Sequence, residues 1–196
     1  MKAVLIIASL IALSQALGAF GPSFRPVPPV QTETADMAVT PLNAFYNGIF
    51  QQLGLGQVND SINCYNVTTQ ATQLSFFYSY AQAVAKGTAA NAENNTWVYF
   101  NTTGATIYLA IPTSTLLCRL NSNDWKLMAK ALGVDPNLTI FFDGYEAYMR
   151  TQSAAYYGLM QTMYNNFNSL NYVNAGVAMG QILQAAAKLA VNFQSQ

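Results

Sequence analysis

The run Asp143 to Leu170, DGYEAYMRTQSAAYYGLMQTMYNNFNSL, constrains the fold more than any other stretch of the chain. Tyr145, Met149, Gln152, Tyr156, Leu159, Met163, Phe167 and Leu170 recur at steps of mostly three and four, which sets them on one face of a helix. Asp143 stands where an N-cap is wanted, and Glu146 where its capping-box partner would be. The stretch reads as one long amphipathic helix that would run about 40 Å at roughly 1.5 Å per residue. Gln152 is the only interruption of the stripe. A helix of that length needs helical partners, so the fold expected is mainly α, an antiparallel bundle of about four principal helices.

Two other stretches supply partners with clear signals. Thr40 as N-cap, Pro41 at the first helical position, the stripe Leu42, Phe45, Ile49 and Leu53, and Gly54 as a stop describe a short first helix. The last element, Tyr172 to about Phe193, carries Met179, Leu183, Ala186, Ala190 and Phe193 on one stripe. Its Gly176 and Gly180 invite close backbone approach to the long aromatic helix, while Gln181, Gln184, Lys188 and Asn192 disfavour a bilayer span.

A second helix is expected from about Ser61 to Lys86, turning Val67, Ala71, Leu74, Tyr78, Ala81 and Val84 inward and Asn66, Gln70 and Gln73 outward, with Gly87 as its stop. Thr88 to Asn95 reads as an exposed loop. TWVYF, NTTG and ATIYLAI then read as a small β-hairpin over residues 96–111, because β-branched and aromatic residues flank a short turn. In that hairpin Trp97 and Tyr99 share one face and Ile107, Leu109 and Ile111 the face that pairs with it, and Pro112 ends the second strand. Asn123 to Leu132 is a short helix closed by Gly133, and Asp135 with Pro136 starts another turn leading through Phe141 and Phe142.

At the N-terminus, Lys2 precedes the apolar run Ala3 to Leu13, and small residues follow at Ser14, Ala16, Gly18 and Ala19. That pattern predicts a secretory signal peptide over residues 1–18; the run is shorter than the roughly 20 apolar residues a membrane span needs. Residues 19–38 hold four of the seven prolines and no periodicity. They read as an extended arm whose Phe20, Phe24, Val27 and Val30 could seat on a neighbouring subunit. Residues 39–196 form the single helical domain.

Composition then limits the function. Only 8% of residues are charged, eight basic against eight acidic, and there is no His. Such a chain offers no electrostatic footprint for nucleic acid or anionic membrane, and it lacks the commonest general base. The carboxylates Asp143 and Glu146 are explained by capping, and Asp124 and Asp135 sit at helix starts. No catalytic residue, metal ligand or cofactor is expected, and the chain is read as not an enzyme.

Two features belong to extracellular chemistry. Cys64 and Cys118 are the only cysteines and are expected to pair in one disulfide. Five sequons, at Asn59, Asn66, Asn94, Asn101 and Asn137, are candidate sites for N-linked glycans. The expected function is a secreted, glycosylated structural protein that assembles with itself or related chains into a filament, coat or matrix. The alternative is a secreted helical carrier holding an apolar small molecule or lipid between aromatic helices.

Overall fold

The computed structural model describes residues 40–59, 61–133 and 139–194. The expected signal peptide and arm, the sequon at Asn137 and the turn at Asp135 and Pro136 lie outside them. The fold is mainly helical, a bundle in which α1 (Pro41–Gln52), α2 (Val67–Ala85), α7 (Thr139–Thr151), α8 (Ser153–Asn168) and α9 (Tyr172–Gln194) surround one buried cluster. Shorter helices cover it: α3 (Ala92–Tyr99), α4 (Ala105–Leu109), α5 (Thr113–Asn121) and α6 (Asn123–Leu132).

The caps explain several boundaries. The Thr40 hydroxyl accepts from the Asn43 N–H at 3.2 Å and Pro41 opens α1, as the sequence predicts. The Asn66 side chain accepts from the Thr69 N–H at 2.9 Å, so α2 begins at Val67 rather than Ser61. The residues before it, Ser61–Cys64, form a 3-10 turn. The Ser122 hydroxyl accepts from the Trp125 N–H and separates α5 from α6, which ends at Gly133 in the left-handed region.

The β-hairpin expected over residues 96–111 is not formed; there is no strand among the described residues. Ala92–Tyr99, a π turn over Phe100–Gly104, and Ala105–Leu109 follow one another as consecutive helical segments, and the expected loop from Thr88 to Asn95 is their 3-10 and α-helical start. The buried positions are Ala92, Thr96, Tyr99, Gly104, Ile107 and Ile111. Their spacing is helical except at the π turn, whose one extra residue shifts the phase between the two halves. Gly104 serves the packing of Tyr99, whose ring and carbonyl would crowd a Cβ there at 2.8–3.0 Å, rather than a hairpin turn.

The long helix from Asp143 to Leu170 is two helices. The backbone leaves helical geometry at the exposed Gln152 (φ −131°, ψ 43°), the residue that interrupts the apolar stripe. Asp143 is not an N-cap, because α7 has already begun at Thr139, and Glu146 pairs with Arg150 one turn on at 2.5 Å. The break lets α7 and α8 pack separately against α9.

Two packing details differ from the sequence reading. On α2, Val67 is 84% exposed and Gln73 is buried, because the inner face is rotated to seat the large rings of Phe77 and Tyr80. On α9, Gly176 and Gly180 meet α1 rather than the long aromatic run, which Ala186 and Ala190 meet at Gly144. Gly176 lies against the Phe45 carbonyl and Gly48 Cα, Gly48 against the Val173 carbonyl, and Gly180 against the Gln52 side chain. The α1–α9 pair is the most extensive helix contact in the fold, and Leu42, Phe45, Ile49, Ala175, Ala178 and Ile182 are buried along it.

Candidate functional site

The most organised polar group in the molecule lies inside it. Tyr80 on α2, Tyr145 on α7, Tyr156 on α8 and Thr96 on α3 bring four hydroxyls into one chain. Tyr80 Oη is 2.5 Å from both Tyr145 Oη and Tyr156 Oη, and Tyr156 Oη is 2.6 Å from Thr96 Oγ1. Thr96 donates to the Ala92 carbonyl at 2.9 Å, which gives the chain a direction: Tyr145 to Tyr80, Tyr80 to Tyr156, Tyr156 to Thr96. Each hydroxyl spends its one hydrogen on the next. All four residues are buried, so the network satisfies polar atoms in a place where an unpaired one would cost about 1–3 kcal/mol.

Burial raises the pKa values of these phenols, since it penalises the phenolate. Tyr156 is pushed up to about 12, and Tyr80 and Tyr145 stand well above the ordinary phenol value. The folded state therefore holds its phenolic protons more tightly than the unfolded chain, so stability is complete below about pH 10 and falls as pH rises beyond it. Circular dichroism over an alkaline series, read beside phenolate absorbance, should show ionisation of this cluster arriving together with unfolding. A cluster that titrates near pH 10 with the fold intact would contradict the network.

A second cluster holds α5 and α6 on the body. The Arg119 guanidinium lies over the Tyr46 ring at 4.4 Å and near the Trp125 ring at 5.3 Å, and donates to the Tyr65 hydroxyl at 3.2 Å. The Asp124 carboxylate accepts from the Asn59 N–H at 3.0 and 3.2 Å. Cys64 and Cys118 form the expected disulfide, with sulfurs 2.03 Å apart and Cα atoms 5.7 Å apart. It joins the 3-10 turn before α2 to α5.

Among the other residues singled out from sequence, Asn59, Asn66, Asn94 and Asn101 are exposed. Asn66 uses Oδ1 for its cap, leaving Nδ2, the atom a glycan would take, outside that bond. The structure does not gather the sequons into a site: Asn59 and Asn66 flank the 3-10 turn, Asn94 is on α3 and Asn101 in the π turn. The arm residues Phe20, Phe24, Val27 and Val30 lie outside the described residues. Asp143 and Glu146 point to no shared chemistry, since Glu146 and Glu93 both bind Arg150. Among the described residues no group of three His, Cys, Asp or Glu could hold a metal ion, and no helix is long and apolar enough to cross a membrane.

Sequence reasoning missed Tyr80 and Thr96, which complete the hydroxyl chain. The signal available for Tyr80 was its size, because a second aromatic one position from Ala81 competes for the same inner face. An open groove of about 270 Å³, lined by Ala83, Lys86, Asn95, Val98, Tyr99 and Thr102, runs between the end of α2 and the π turn. It lies at the lower edge of small-molecule pocket sizes. No protein-family model, no curated protein and no solved structure matches this chain.

Proposed function

We propose that this protein is a secreted, N-glycosylated structural subunit that assembles with copies of itself or with related chains into an extracellular filament, coat or matrix, residues 19–38 reaching onto a neighbour. The observation that carries the reading is Leu170. It sits at φ 58°, the left-handed position just beyond α8, and is 53% exposed. The Asn171 N–H bonds the Asn166 carbonyl at 2.8 Å and the Leu170 N–H the Phe167 carbonyl at 3.1 Å, the helix ending in which glycine is the usual residue. A leucine there costs backbone energy and exposes apolar surface. A solitary molecule gains from neither, whereas an assembling one gains a contact.

Other apolar surface supports the same reading. Val173 is exposed three residues further on, and Leu117 and Leu120 on α5 are 54% and 45% exposed. Leu170 and Val173, at the junction of α8 and α9, are far in sequence from every described sequon, whereas Leu117 and Leu120 share α5 with Cys118, whose disulfide sets that helix beside the turn that Asn59 and Asn66 flank. Val67 and Val98, also exposed, sit beside sequons. The carrier alternative is less well supported. The aromatic face between the helices, where a lipid would sit, is filled by Tyr156, Met160, Met163 and Phe167 packed as core.

The test is Leu170→Gly in secreted protein. Relief of a left-handed residue is worth roughly 1–2 kcal/mol, and the added freedom of glycine in the unfolded chain takes back about 0.4–1 kcal/mol. Monomer stability should therefore hold or rise slightly by thermal denaturation while the assembled fraction falls in sedimentation. Assembly at the wild-type level would sink the role given to Leu170.

A further inference from the structure

We infer that Tyr78 and Tyr164 form an oxidative coupling site, at which an extracellular peroxidase and hydrogen peroxide would join α2 to α8 through a dityrosine bond. Their ring centroids are 5.7 Å apart with planes inclined by 44°. One side chain holds both phenol oxygens. The Gln82 amide nitrogen donates to Tyr78 Oη at 3.3 Å and to Tyr164 Oη at 3.2 Å. An amide nitrogen has two hydrogens, one for each oxygen. The two hydroxyls are held to one amide nitrogen while their rings lie side by side, which keeps together the ends of the rings whose ortho carbons would couple.

Accessibility separates this pair from the other close tyrosines. Tyr80, Tyr99, Tyr145, Tyr148 and Tyr156 are buried and closed to an oxidant. Tyr78 and Tyr164 are both half-buried. Donation from Gln82 and Asn168 lowers the pKa of Tyr164, so more of it is phenolate, the form that gives up an electron more readily. Tyr78 Oη also lies 3.4 Å from Asn168 Oδ1, at the edge of hydrogen-bond distance.

Each phenol loses one electron and its hydroxyl proton to the oxidant, and the two radicals join at their ortho carbons. The hydrogen on each of those carbons then moves to its own ring oxygen, restoring both phenols. The peroxide leaves as two waters, and the protein is lighter by two hydrogens. The bond would staple together two of the principal helices of the bundle, α2 and α8, which already pack side by side.

The experiment treats the purified, folded full chain with a heme peroxidase and hydrogen peroxide at high dilution. Dityrosine fluorescence should appear at monomer mass, with two hydrogens lost. Proteolysis and tandem mass spectrometry should place the link between Tyr78 and Tyr164. Tyr78→Phe and Tyr164→Phe should each lose that product, and Tyr157→Phe, a half-buried neighbour on α8, should keep it. A monomer-mass product linking other tyrosines would overturn the inference. So would dityrosine found only between molecules, or none at all while free tyrosine in the same reaction couples. Meeting an oxidant in the organism depends on the secretion proposed above; the reaction of the purified chain does not, so the two can fail separately.

Discussion

Gly176→Ala should destabilise the protein while Gly158→Ala, the same change on the next helix back, should stabilise it. In an ordinary helix interior alanine is better than glycine by about 1 kcal/mol. Gly158 is such a place, with nothing within 4 Å of a Cβ built there. At Gly176 the added methyl would drive into the Phe45 carbonyl, with the Phe45 carbonyl carbon at 2.8 Å and Gly48 Cα at 3.1 Å. Those are main-chain atoms and cannot swing aside. The α1–α9 pair would have to open, and overpacking of this kind costs about 1–3 kcal/mol even where side chains can yield. Gly48→Ala meets Val173 and Val177 backbone and should behave alike. For a chain of this size each kcal/mol moves Tm by about 2–4 °C, so thermal melts of the variants should fall on opposite sides of wild type. Equal shifts at Gly158 and Gly176 would mean the two helices are not in close backbone contact.

Loss of the Cys64–Cys118 disulfide is the second large effect. The cysteines are 54 residues apart, and in the chain-entropy picture closing a loop of that length is worth about 4 kcal/mol. That is a large share of the roughly 5–15 kcal/mol that holds a typical domain together. The damage should be local first. Thr115 is the one buried residue on α5 proper, and α6 adds Asp124, Met128 and Ala129. With the bond reduced, α5 and α6 keep the Arg119 contacts, the Asp124 bonds and a small buried base to which Leu116, Trp125 and Leu132 add partly buried surface. Cys64→Ser with Cys118→Ser should lower Tm by many degrees, and amide exchange should speed in residues 113–132 before it speeds in α9. Uniform acceleration, or a Tm shift of a degree or two, would show that the noncovalent contacts already suffice.

What the sequence revealed follows from where local and tertiary signals agree. Thr40 with Pro41, Ser122 with Trp125, and Gly133 announce helix ends through chemistry that acts within a few residues, and those ends stand where the spacing puts them. The disulfide was readable because two cysteines allow one pairing. The segment 96–111 was misread because Thr96, Val98, Thr106 and Ile107 favour strands in isolation. Its helical period over Ala92, Thr96 and Tyr99 is displaced at Gly104 by the extra residue of the π turn. The break at Gln152 was visible as a gap in the stripe but carries no glycine or proline to mark it. Only the separate packing of α7 and α8 decides it. The hydroxyl chain of Tyr80, Tyr145, Tyr156 and Thr96 joins four helices, and no spacing rule within one helix could have assembled it.

Poverty in ionic groups, apolar side chains left on the surface and a leucine held where glycine would be easier all fit a chain that finishes its burial against other molecules. The most direct test is the mass of the native protein by size-exclusion chromatography with light scattering, before and after enzymatic removal of N-glycans. The account predicts particles many times the chain mass that lose carbohydrate on treatment and remain assembled. A glycan-free species at the mass of one chain, unchanged as concentration rises, would contradict it.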